Sequence, residues 1–193
     1  MRAITFDIES INDSPIRGRV DVAEQELIVV GIHNSETGAY TSYTKEELPG
    51  LWPIIESADL LIGFNSNSFD IPLLDRYYPG NLSRIRSLDL LVEVQEVLGR
   101  RIRLQSLAEA TLGEGKSGDG MQAGVWWRAG EKDKVREYCL KDVRLTRALY
   151  DYARAHGVLK YKDLNEIRDI KLDTSAWEND APTNGTMTHA LQL

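Results

Sequence analysis

Apolar and polar residues alternate from the start of this chain. Ile4, Phe6 and Ile8 fall on one side of residues 1–9, and Thr5, Asp7 and Glu9 on the other. That two-residue period predicts a β-strand with one apolar face. Residues 11–25 are polar, carry Pro15 and Gly18, and read as a loop. Residues 26–33 (ELIVVGIH) are a near-continuous β-branched run, the pattern of a well-buried strand. Residues 39–44 supply a third strand, so 26–44 is expected to be a hairpin turning near Glu36-Thr37-Gly38. A helix follows over 45–57, capped by Thr44 and interrupted at Pro49-Gly50. Residues 59–65 (DLLIGFN) form a short buried strand, and 71–78 a short helix with Pro72 in its first turn. A strand at 85–88 precedes helices at 90–98 and 104–112, the second stopped by Gly113. Residues 113–120 are Gly-rich and expected to be mobile; Trp126 and Trp127 sit in a short helix. The longest helix runs over 131–155 and closes at Gly157, with strands at 158–162 and 167–172. Strands first, then helices mixed with strands, predict an α/β sandwich around a mixed central sheet. One domain over 1–172 is expected, with 173–193 a polar tail, loose or docked on it.

Composition narrows the class. With 193 residues, 42% apolar and 27% charged, the chain suits one globular domain with a full core. Its apolar stretches are too short to span a bilayer, and the first residues show no secretory leader, so a cytoplasmic protein is expected. Cys139 is the only cysteine, which excludes an internal disulfide and fits a reducing compartment. The net charge of −7 argues against tight, non-specific duplex binding, because phosphate contacts need Lys and Arg. The cations are unevenly spread, however. Arg84, Arg86, Arg100, Arg101, Arg103 and Lys116 cluster mid-chain, leaving room for an enzyme that grips a few nucleotides.

Four carboxylates carry the candidate chemistry. Asp7 and Glu9 are two apart on a strand, so both project from one face, roughly 6.5–7 Å apart along the backbone. Such a pair can converge on cations, or it can be a solvated sheet face. Asp70 follows a buried strand and precedes a proline-started helix, where Ser68 or Asp70 can equally serve as an N-cap. Asn65, at the strand end, is either a turn residue or a hydrogen-bonding group at a site mouth. Asp142 falls inside the helical stripe of Val135, Cys139, Thr146, Leu149, Tyr150 and Ala153. A bare carboxylate there costs several kcal/mol or takes up a proton, and a cation removes the difficulty. A buried pair with an arginine such as Arg103 is the alternative. Tyr138 lies one turn before Asp142 on the same side.

Taken in order, FDIES at 6–10, NSNSFD at 65–70 and YCLKD at 138–142 resemble the DEDD superfamily of 3′–5′ exonucleases, which share the ribonuclease H-like fold. The Tyr-x-x-x-Asp form marks its tyrosine branch, DEDDy; the histidine branch has His where this chain has Glu137. With FDIPLL at 69–74, the wording is most similar to family B DNA polymerase proofreading domains and standalone predicted ribonuclease H-like exonucleases, over roughly residues 1–155. The resemblance implies that Asp7, Glu9, Asp70 and Asp142 hold two divalent ions, Mg²⁺ or Mn²⁺. It implies that Tyr138 positions the attacking water. It also implies that Glu9, Ser10, Asn65 and Phe69 meet the terminal nucleotide of single-stranded DNA or RNA. Arg101 and Arg103 are expected to follow phosphates, although a basic run is also an ordinary solvated helix end.

Other features say less. Trp126 and Trp127 either stack on bases or complete the core. His33, His156 and His189 are scattered and suggest no zinc site. GEGKSGDG at 113–120 lacks the ending and context of a phosphate-binding loop. Two competing readings remain: a structure-specific endonuclease on the same fold, and a non-catalytic nucleic-acid-binding module. Protein partners and oligomeric state are not legible.

Overall fold

A computed structural model of the chain describes residues 1–12, 21–114, 122–164 and 166–179. Most of the expected Gly-rich segment, with Lys116, and the end of the tail, with His189, lie outside these residues, as does much of the expected 11–25 loop.

A five-stranded mixed sheet forms the centre. Its strands are β1 (Ala3–Ile11), β2 (Glu26–Asn34), β3 (Tyr40–Thr44), β4 (Leu60–Gly63) and β5 (Ser87–Asp89), in spatial order β3-β2-β1-β4-β5. The β1, β2 and β3 strands form an antiparallel meander, and β4 and β5 add to β1 in parallel. Helix α1 (Leu48–Glu56) and helix α2 (Asp70–Asp75) lie on one face, sharing a core with Ile4, Phe6, Ile8 and Leu61. The other face is covered by α3 (Leu90–Leu98), α4 (Leu104–Leu112) and the long α6 (Lys132–His156), around Ala3, Leu60 and Ile62. Helix α5 (Gln122–Arg128) precedes α6 and joins it in a third cluster, with Ile28, Val29, Tyr138 and Cys139. This is an α/β sandwich of the expected ribonuclease H-like class.

Several expectations need correction. The 1–9 strand has its one apolar face, and its polar side is covered too: Thr5 and Glu9 are buried, at 0% and 8% exposure. Pro49-Gly50 does not interrupt the 45–57 helix. A 3₁₀ turn at Lys45–Glu47 leads into α1, and Pro49 sits in its first turn, where a missing N–H costs nothing. The expected 71–78 helix ends at Asp75. Strands β6 (Val158–Asp163) and β7 (Glu166–Lys171) pair only with each other, as a separate antiparallel ribbon beside α4 and α6. Beyond the ribbon, Trp177 is buried and stacks on Tyr150 at 5.6 Å between ring centroids, while the Arg86 guanidinium donates to three backbone carbonyls of residues 176–179.

Gly31 sets how closely α6 meets the sheet. It pairs with Asp7 across β1 and β2. A methyl group built there would stand 2.9 Å from Cys139 Sγ and 3.1 Å from a Val143 methyl. Without that glycine, α6 would have to lift away, carrying Tyr138 and Asp142 with it. Gly31→Ala is therefore expected to cost roughly 1–3 kcal/mol, and Gly31→Val more. Denaturant unfolding of both variants measures this; equal stability in the valine variant would show that α6 does not rest on Gly31.

Candidate metal centre

Strand β1 carries Asp7 and Glu9 toward α6. Opposite them, β2 is irregular: the register shifts between Glu9 and Ser10, which leaves Ile28 as an extra residue. Such bulges bend a strand and re-aim its side chains. Here the extra residue lies in β2, opposite the step from Glu9 to Ser10.

The third carboxylate arrives through an open strand edge. Strand β4 pairs with β1 only over Ala3 to Thr5 and then turns away at Gly63. A side chain at Gly63 would collide with Ser66, 2.3 Å from its Cβ, so only glycine allows this turn. Beyond it, the Ile8 N–H lacks β4 as a partner, and Asp70 Oδ1 accepts it at 3.0 Å. Asp70 is not the cap of α2: the cap is Phe69, which makes no side-chain capping bond, and Asp70 is the first helical residue. Its carboxylate is thereby drawn from the helix end to β1.

The fourth comes from α6. The residues of the expected stripe, Val135, Cys139, Thr146, Leu149, Tyr150 and Ala153, are all buried, and Asp142 is buried among them at 7% exposure. The Gln105 amide nitrogen faces both Asp142 oxygens, at 3.5 and 3.4 Å. Tyr138 is buried too, its ring edge-on to Trp126 at 5.9 Å. Both Trp126 and Trp127 are half-buried against the core, and Lys132 Nζ sits 4.8 Å from the Trp127 ring centre.

Burial and the charges of neighbouring acids act together on this group of acids. Asp7 keeps an edge open to the cleft, yet burial, followed by the charges of Asp70, Glu9 and Asp142, drives its carboxyl far above the usual range. Glu9 is pushed up to about 8, by burial and then by Asp142 and Asp70. Asp70 rises to about 7 through burial and the charge of Asp89, although the Ile8 N–H pulls it down. Protons or cations must neutralise such a group.

The donor set fits hard cations. Carboxylate oxygens suit Mg²⁺ and Mn²⁺. Ligand atoms of Asp7, Glu9 and Cys139 lie within 4.8 Å of one another. The sulfur is the odd member. Burial, then Asp7 and Glu9, raise its pKa, and its S–H donates to the Asp7 carbonyl at 3.3 Å. In the metal-free chain Cys139 is thus held as a thiol, and its soft sulfur suits Mg²⁺ and Mn²⁺ less than the carboxylates do. Asp70 and Asp142 are electrostatic neighbours of that trio but stand outside its 4.8 Å circle.

Beside the acids opens a cleft of about 510 Å³. Asp7 and Asp142 form one wall, Arg101 and Arg103 the rim, and Phe64, Leu91 and Leu104 much of the apolar lining. Asn65 also borders it, in a left-handed conformation with φ 65°. Arg101 donates to the Asn65 side-chain oxygen. Ser10 and Phe69 are not among the walls: Ser10 Oγ donates to Gln25 at 2.9 Å, and Phe69 packs into the α1–α2 core. The basic run is a short extended link from Gly99, the α3 cap, to Arg103, the N-cap of α4.

Sequence reasoning passed over Asp89. Its carboxylate accepts the N–H groups of Asn65, Asn67 and Leu91 at 2.7, 3.0 and 3.0 Å, so one buried acid caps α3 and fixes the loop leading to Asp70. An Asp just before an apolar helical run was the available signal. Gly31 had one as well, a glycine inside a β-branched run.

Fold and acidic cluster together define the class of ribonuclease H-like nucleases. The family model RNase_H_2, described as the RNase_H superfamily, matches residues 6–154, and the chain belongs to that superfamily. No curated protein matches the chain. Among solved structures, the family B DNA polymerase from the hyperthermophilic archaeon Pyrobaculum calidifontis shares the fold, with a TM-score of 0.63 and 21% identity. The match covers 79% of this chain and 24% of the polymerase, so the chain corresponds to about a quarter of that protein. Among the described residues, no helix is long and apolar enough to cross a membrane.

Proposed function

We propose that this protein is a metal-dependent 3′–5′ exonuclease of the tyrosine branch, acting on single-stranded DNA or RNA. What supports the reading is that Asp7 and Glu9 lie close together, Asp70 reaches the Ile8 N–H between them, and Asp142 lines the cleft with Asp7, with Tyr138 one turn before it. Those four acids would hold two Mg²⁺ or Mn²⁺ ions, which supply activation of water and charge neutralisation at the leaving oxygen. The chain's own groups do the rest. Tyr138 orients the attacking water. Arg101 and Arg103, at the cleft rim, draw in the phosphates, and the apolar lining takes up the terminal sugar and base. Asn65 offers its amide at the mouth. Glu9 is also suited to meet the terminal hydroxyl. Residues 1–172 act as the catalytic unit in the cytoplasm, with 173–193 as its tail.

The test is digestion of oligonucleotides labelled at the 5′ end, in Mn²⁺ or Mg²⁺. Stepwise shortening from the 3′ end, abolished by chelator, is expected, and a covalently closed circular strand should survive. Cleavage of the circle would instead make the protein an endonuclease. No cleavage of any strand, combined with nucleic-acid binding, would make it a binding module.

A further inference from the structure

We propose that Gln105 is a positioning residue that orients Asp142 for metal; the assignment rests on the proposed metal site above. Gln105 lies in the first turn of α4, after the Arg101–Arg103 link, and lines the cleft beside Asp142. Its side-chain nitrogen reaches both carboxylate oxygens, at 3.5 and 3.4 Å. A carboxylate only accepts hydrogen bonds, which fixes the amide with its NH₂ inward and its oxygen away. A donor shared by both oxygens restrains rotation of the carboxylate plane.

The choice of a neutral amide matters. Arg101 and Arg103, on the same segment, line the cleft. A guanidinium at position 105 would neutralise Asp142 and compete with a cation. An amide leaves the full negative charge available while holding its direction. Groups that hydrogen-bond to ligating carboxylates commonly govern metal affinity in this way. Gln105 itself contacts no reacting atom in this scheme; it acts through Asp142.

Calorimetric titration of Mn²⁺ into the metal-free chain provides the test, with Gln105→Met as a variant of matched size without the donor. The variant is expected to bind Mn²⁺ about 10-fold or more weakly. Its melting temperature in chelator should equal that of the wild type. Unchanged affinity overturns the assignment. So does weaker binding accompanied by a lower melting temperature in chelator, which marks a general loosening of α4. Failure of the unaltered chain to bind Mn²⁺ at all would instead overturn the metal site itself.

Discussion

Asp7→Asn should abolish metal-dependent shortening of an oligonucleotide, by about 10³-fold or more, while making the metal-free protein more stable near neutral pH. Both effects have one cause. The charges of Asp70, Glu9 and Asp142 each raise the Asp7 pKa after burial has done so. In the metal-free state, either its charge or the proton it must take up to lose that charge is a cost that the fold carries. An amide of the same shape removes the repulsion and with it the attraction for a cation. The Cys139 S–H, 3.7 Å from Asp7 Oδ2, also meets an oxygen acceptor if the amide turns its oxygen that way. Thermal melts in chelator, beside Mn²⁺-dependent digestion, test the pair of outcomes. A variant that is both inactive and less stable in chelator would mean that Asp7 was a packing residue. A variant with full activity would remove it from the proposed ligand set.

That opposition between stability and function is also why part of the site was legible in the sequence. Asp142 announces itself because a charged residue interrupts a helical stripe that is otherwise buried from Val135 to Ala153. Asp7 and Glu9 are legible as a pair because strand alternation puts them on one face. The same alternation leaves exposure open. A strand that alternates polar and apolar normally has one wet face, but here α6 closes over the polar side, and Gly31 lets it come close. Asp70 is different. Local sequence places it at a helix start, where capping is the ordinary role. Only the early departure of β4 from β1, which leaves the Ile8 N–H to be filled, gives it its true partner. Gln105 was not legible at all. Its contact with Asp142 depends on how α4 crosses α6, and nothing in the 101–112 segment encodes that crossing. The ribbon of β6 and β7 shows the same limit. Both strands are readable from residue type, while their separation from the main sheet is a matter of tertiary packing.

Raising the pH should destabilise the metal-free protein, and saturating Mn²⁺ should cancel the effect. In the folded state, Glu9 is pushed up to about 8 and Asp70 to about 7, against ordinary carboxylate values of 4.5 and 3.8, and Asp7 lies far above its own. Between those limits the folded chain binds more protons than the unfolded one, so stability falls as pH rises. The loss begins above the unfolded carboxylate range and is complete only once pH passes the folded values. Each proton contributes a slope of about 1.4 kcal/mol per pH unit at most. Asp89, raised by burial, adds in the same direction. His33 opposes them, because its pKa is lowered by burial, but it is one group against several carboxylates. Bound cations replace those protons, so the ionised site becomes the stable one and the slope flattens or reverses. Melting temperatures from about pH 5.5 to about pH 8, in chelator and in Mn²⁺, read this directly. A metal-free protein that gained stability over that interval would mean that the four acids do not share a site, and that each is relieved by a neighbour of its own.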